Sequence, residues 1–145
     1  MSYHFPLSPV LWLREVVEER EERLLKNIQQ EITSTAGQLA AIATELAGAD
    51  ADRRDEVASS RSGMHLHAWY EHIEALRQKR RELEQRLEKL GELRGRQMVA
   101  YQAARRDREM LDQLHGEGLA AHETDSARRE QSTLDDTFGA QRARR

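Results

Sequence analysis

Apolar residues recur along this chain every three or four positions, not every second one. The longest regular stretch begins at Trp69. Alternating steps of four and three reach Trp69, Ile73, Leu76, Arg80, Leu83, Leu87, Leu90, Arg94, Gln97, Tyr101, Ala104, Arg108, Leu111 and His115. Nine of these fourteen are apolar or aromatic, and the residues between them are mostly Glu, Arg, Gln and Lys. A narrow stripe of this kind is the heptad seam by which one helix lies along another. No proline follows Pro9, so none interrupts it. The stripe is too long for a small globular core to cover, so it requires a second helix beside it.

The earlier part of the chain supplies that helix. Ser8 is placed to cap and Pro9 to occupy a first helical position. From Val10 the pattern predicts a helix over about 10–48. Its apolar positions are Val10, Leu13, Val17 and Leu24, then Leu25, Ile28, Ile32, Leu39, Ile42 and Leu46. The one-position slip at Leu24 and Leu25 resembles a stutter, which locally unwinds a supercoil. Arg14 to Arg23, rich in Glu and Arg, reads as a solvated helix face laced with pairs three and four residues apart. The heptads fade over 49–63, between Gly48 and Gly63; the reversal is expected near Ser59 to Gly63, and some of 49–58 can remain helical. A second helix is expected over about 64–138, with a possible break at Gly116 to Gly118 and a basic tail at 141–145. The fold class is all-α: a single domain built as a long antiparallel two-helix coiled-coil hairpin. A first helix of about 58 Å, at roughly 1.5 Å per residue, reaches only to about residue 103 of the second, so the rest should project unaccompanied.

Composition narrows the class further. Charged residues make up 34% of the chain and aromatic residues 5%, too few large side chains for a thick core. The net charge of −3 speaks against a dedicated nucleic-acid binder. There are no cysteines, so disulfides and thiolate metal sites are excluded. No apolar run approaches the roughly 20 residues that span a bilayer, and the opening Met1 to Pro6 lacks the features of a secretory leader. Residues 1–50 carry 4 basic and 8 acidic side chains, while 64–115 carry 11 basic and 9 acidic, so the two predicted helices have opposite sign.

Candidate chemistry is sparse. His65, His67 and His72 lie close together, but no carboxylate or thiolate at ligand spacing completes a zinc set. Gly91 to Arg96 lacks the phosphate-loop pattern, so no nucleotide cofactor is expected. A two-helix pairing offers no water-excluding cleft for catalysis. Arg80, Arg94 and Arg108 are unusual on a seam. Their expected roles are register and pairing across it with glutamates such as Glu18, Glu22 or Glu31.

Three segments in order carry a family resemblance. Phe5 to Leu25 resembles an opening Phe, then Leu-x-Leu-Arg-Glu, then a Glu- and Arg-rich helix. Ser62-Gly63-Met64 through Trp69-Tyr70-Glu71-His72-Ile73-Glu74-Ala75-Leu76 resembles a Gly-containing turn followed by an aromatic, Ile and Leu helix start. Arg128-Arg129-Glu130-Gln131-Ser132-Thr133-Leu134-Asp135-Asp136 resembles the closing basic and acidic pattern. Together they are similar to the FliJ family of flagellar type III export proteins and, more distantly, to YscO-like proteins of virulence secretion systems.

The resemblance implies a stalk that is not itself an enzyme. Its expected partners are a hexameric export ATPase, the cytoplasmic domain of the membrane export gate, and export chaperones. It implies a cytoplasmic protein associated peripherally with the inner membrane, with neither nucleic-acid binding nor insertion into the bilayer. The family's gate-contacting surface falls here on His72, Leu76, Lys79 and Leu83, of which only Leu76 keeps the family's usual type. The ring-inserting ends fall on Arg14, Glu15 and Arg20 and on Arg128, Arg129, Leu134, Asp135 and Asp136. The rivals are a generic coiled-coil adaptor, a virulence-system stalk, and a helical arm that binds tRNA. The last would show a basic stripe, and acids interrupt the basic residues here.

Overall fold

The computed structural model describes residues 2–58 and 63–145, except for the Met64 side chain. They form two helices, α1 (Ser8–Ala58) and α2 (Gly63–Ala143). The two pack against each other, and no strand is present among the described residues. The reversal expected at 59–63 falls almost wholly outside the described residues. Both helices contribute to two compact units, one of residues 21–100 and one of residues 1–20 with 101–145.

In the unit of residues 21–100, the α1 stripe is Leu25, Ile28, Ile32, Thr35, Leu39, Ile42, Leu46 and Ala49, all buried or half-buried. Its centre is Ile42, packed with Leu76 and Leu83 of α2 and flanked by Leu39 and Leu46. Ile73 and Leu90 are buried on the same α2 stripe. Thr35 and Ala49 complete the α1 stripe with small side chains. Polar contacts confirm the antiparallel direction: Trp69 Nε1 donates to the Ala49 carbonyl at 2.7 Å, Arg86 pairs with Glu31 at 3.7 Å, and Gln97 bonds Glu21.

Helix α1 does not stop at Gly48. A mid-helix glycine weakens the helix by only about 1 kcal/mol, and Ala, Arg and Glu follow it. Beyond it, the Ala49 carbonyl accepts from Trp69, and the Arg53 guanidinium sits 4.9 Å from the Trp69 ring centroid. The stretch 49–58 is therefore helical, and its residues are not part of the turn.

In the unit of residues 1–20 and 101–145, a short turn leads into α1: Ser8 N donates to the Phe5 carbonyl at 3.1 Å. The inward face of α1 here is Leu11, Arg14 and Glu18, with Val17 half-buried at its edge, and Ala104, Arg108, Leu111 and His115 on α2. Leu11, Arg14 and Glu18 lead on by heptad steps to Glu21 and Leu25, so no slip occurs at Leu24. The expected apolar positions Val10, Leu13 and Leu24 are 41%, 52% and 41% exposed. The stretch expected to be a solvated face instead puts Arg14 and Glu18 between the helices.

The pairing also extends further than expected. Phe5 is buried, its ring 4.9 Å from that of His115, and Tyr3 lies 5.9 Å from His115 and 5.5 Å from His122. The residues before α1 thus accompany α2 to His122, well past residue 103. The expected break at Gly116 to Gly118 is absent, and α2 continues to Ala143, through most of the basic tail. Gly118 has a different role: a Cβ there would lie 2.0 Å from the Tyr3 hydroxyl, so the missing side chain is what seats Tyr3. From Ala127 onward every residue is exposed.

Candidate partner-binding surfaces

The four positions assigned to a gate surface lie on consecutive turns of α2, spaced four, three and four residues. The structure divides them. Leu76 and Leu83 are buried against Ile42, so their side chains hold the helix pair together and are available only if it opens. His72 and Lys79 are exposed on the rim of that stripe. His72 also borders a shallow concavity with Glu45, Asp52, His65 and Trp69. A surface built here would be polar at its accessible edge and apolar only beneath it.

The positions assigned to the ring all fall in the unit of residues 1–20 and 101–145. Arg14 spans the seam to Asp107 at 3.2 Å, with both side chains nearly half exposed. Glu15 and Arg20 are exposed. Arg128 lies 3.9 Å from Asp125, one turn earlier. Asp135 accepts from Gln131 at 3.2 Å, and the Arg129 carbonyl accepts from Thr133 Oγ1 at 2.9 Å. Leu134 is 52% exposed, and Asp136 is exposed two residues on. Arg128 to Asp136 form a fully solvated helical segment of mixed charge, basic at its start and acidic at its end, held in shape by its own short-range bonds.

A polar cluster lies between the helices in the same unit. Arg108 Nε donates to Glu18 at 2.5 Å and its Nη1 to Asp112 at 2.6 Å. Arg108 and Glu18 side chains are only 25% and 16% exposed. The bonds to Glu18 first, then to Asp112, raise the guanidinium pKa above its ordinary value, so this arginine is always charged. Pairing of a seam arginine with Glu18 is legible in sequence. The contribution of Asp112 is not, because a residue four positions along on the same helix looks like surface charge. No sequence motif marks the aromatic clasp of Tyr3 and Phe5 on His115 and His122. Its only signal is that His115, Gly118 and His122 continue the three-four stepping of the stripe.

Among the described residues, no group of three His, Asp or Glu side chains is placed to hold a metal ion. His67 instead pairs with Glu71 at 3.1 Å. No helix is long and apolar enough among the described residues to cross a membrane. The surface concavities are shallow and open.

Comparison with curated proteins and with solved structures gave no match. The family model described as flagellar FliJ protein matches residues 3–145, nearly the whole chain. That span includes the Tyr3 clasp, both helices and the solvated end of α2. The chain therefore belongs to the flagellar FliJ family, components of flagellar type III protein export.

Proposed function

We propose that this protein is a non-enzymatic stalk of the flagellar export apparatus. It engages the export ATPase ring through the charged end of α2 and the start of α1, and the export gate through the first turns of α2. The observation that carries this reading is the helical segment after Ser126. It is well formed yet exposed on every side, and it carries both signs of charge on Arg128, Arg129, Asp135 and Asp136. A ring of identical subunits offers the same surface several times to a stalk without matching symmetry. Exposed charge suits such a contact, because polar pairs break and re-form more readily than a buried apolar interface. Arg14, Glu15 and Arg20 belong to the same unit but lie further back along α2, Arg14 opposite Asp107, and form a second, separate contact in this reading.

The gate contact, in this reading, rests on His72 and Lys79, since Leu76 and Leu83 are occupied within the helix pair. Export chaperones are further partners that the family resemblance suggests. The protein acts in the cytoplasm beside the inner membrane.

The test is ATPase stimulation. A chain ending at Ala127 keeps the Tyr3 clasp and both seams but lacks the last segment. It should remain helical yet lose most of its binding to the export ATPase and most of its stimulation of the hexamer. Full stimulation by the shortened chain at about 0.15 M salt, where exposed charges beyond roughly 8 Å are screened, would contradict the assignment. Copurification of an export ATPase with the full chain, as against none, separates the stalk from a generic adaptor.

A further inference from the structure

Helix α1 begins with apolar residues on two sides. Toward α2 it presents Leu11, followed at heptad spacing by Arg14 and Glu18. Away from α2 it presents Val10 and Leu13, 41% and 52% exposed, with Val17 half-buried at the edge. Trp12 and Val16 add to the outward side, at 65% and 41% exposure. Exposed apolar residues grouped on one face mark an interaction surface, so this outward stripe calls for an occupant. A second copy of the chain fits poorly, because Glu15 and Glu19 run along the stripe and would meet their own kind.

The chain itself provides a better occupant. The inward and outward series differ by one residue, or roughly 100° about the helix axis. The inward series reaches Leu25 and Ile28 by regular heptad steps. The outward series reaches the same Ile28 through Val10, Leu13, Val17, Arg20 and Leu24, in steps of three, four, three, four and four. A further step of four leads to Ile32. Three successive fours amount to a one-residue insertion, equivalent to two stutters, which a coiled coil absorbs by local unwinding and not by breaking.

We propose that the first turns of α1 exchange between two seams against α2: the observed one, held by Glu18, Arg108 and Arg14, and a stuttered one that turns Val10, Leu13 and Val17 inward. The α2 face supports both. It offers Tyr101, Ala104 and Leu111 to apolar partners, with Arg108 among them. On leaving Glu18, Arg108 retains Asp112, which belongs to its own helix and already lies 2.6 Å away. Charge-assisted bonds are stronger than neutral ones and hold the observed seam. The exchange turns Arg14 outward and brings Arg20 toward α2, so it changes which arginine the start of α1 presents to a partner.

The chain has no cysteine, so a single introduced one reports its own surroundings. Leu13→Cys and Leu11→Cys are placed separately in the full chain, with and without Arg108→Leu, and their alkylation by N-ethylmaleimide is timed. With Arg108 present, Leu13→Cys reacts faster than Leu11→Cys. With Arg108→Leu, Leu13→Cys slows about tenfold and Leu11→Cys accelerates, matching loss of a bonded charged partner. Adding Val17→Glu, which puts a charge on the stuttered seam, restores the original order. If both cysteines accelerate with Arg108→Leu, the helix end frays and the proposal is overturned. Unchanged rates, or failure of Val17→Glu to restore the order, overturn it equally.

Discussion

The same two helices build two kinds of interface. Within residues 21–100 the seam is apolar, with Ile42, Leu76 and Leu83 at its centre and ion pairs such as Arg86 and Glu31 only at the edge. Within residues 1–20 and 101–145 the seam carries Arg14, Glu18, Arg108 and His115, and several apolar residues of α1 face outward. Apolar burial contributes wherever shapes fit, without regard to direction. A polar seam contributes only when each charged group finds its partner, so it fixes alignment more than it adds stability. One unit is thus held mainly by apolar burial and the other by matched charges.

The largest effect should come from the apolar unit. Ile42→Ala removes the most central buried side chain and should cost about 2–5 kcal/mol, near the low end because the seam is thin. Thermal unfolding followed by circular dichroism would check it, with Leu13→Ala as the outward comparison. Leu13→Ala should stay within about 0.5 kcal/mol. Equal losses from the two would erase the difference between inward and outward stripes.

A smaller effect is expected at the polar seam. Arg108→Ala strands Glu18, which is 16% exposed, and loss of a charged hydrogen-bond partner should cost about 1–3 kcal/mol. Double substitution with Glu18→Ala should recover part of the loss, because no charge is then left unpaired. An additive double variant would mean that the two do not act as a pair.

Sequence periodicity made the α2 stripe legible, since Trp69, Ile73, Leu76, Leu83 and Leu90 are apolar where the heptad requires it. It misplaced the start of the α1 stripe for the converse reason. Val10, Leu13 and Leu24 are apolar but outward, while Arg14 and Glu18 are charged but inward, and hydrophobicity alone ranks them the wrong way round. Gly48 and Gly118 look like helix ends in sequence. Neither is, because Trp69 and Tyr3 make contacts beside them that no local pattern encodes. For the surfaces, the heptad stepping already separates Leu76 and Leu83, which lie on it, from His72 and Lys79, which do not. The grouping of the four comes from the family resemblance, which no local pattern replaces.

The smallest effect should be at the clasp. Gly118→Ala gains up to about 1 kcal/mol of helix propensity, yet its Cβ would meet the Tyr3 hydroxyl. The tyrosine ring must shift, so the two effects should nearly cancel in the melting temperature. Proteolysis before Phe5 should nonetheless quicken. A clear rise in melting temperature with unchanged proteolysis would show that Tyr3 adds nothing at this position.

The most direct measurement is residue-resolved hydrogen exchange of the full chain at about 0.05 and 1 M salt, where the screening length falls from above 10 Å to about 3 Å. Amides of 39–49 and 73–90 should exchange slowly and alike at both salts. Amides of 8–20 and 101–122 should exchange faster, and faster still at high salt, as their ion pairs weaken. Equal protection in the two units, or protection of 8–20 that does not change with salt, would contradict the division into an apolar and a polar seam.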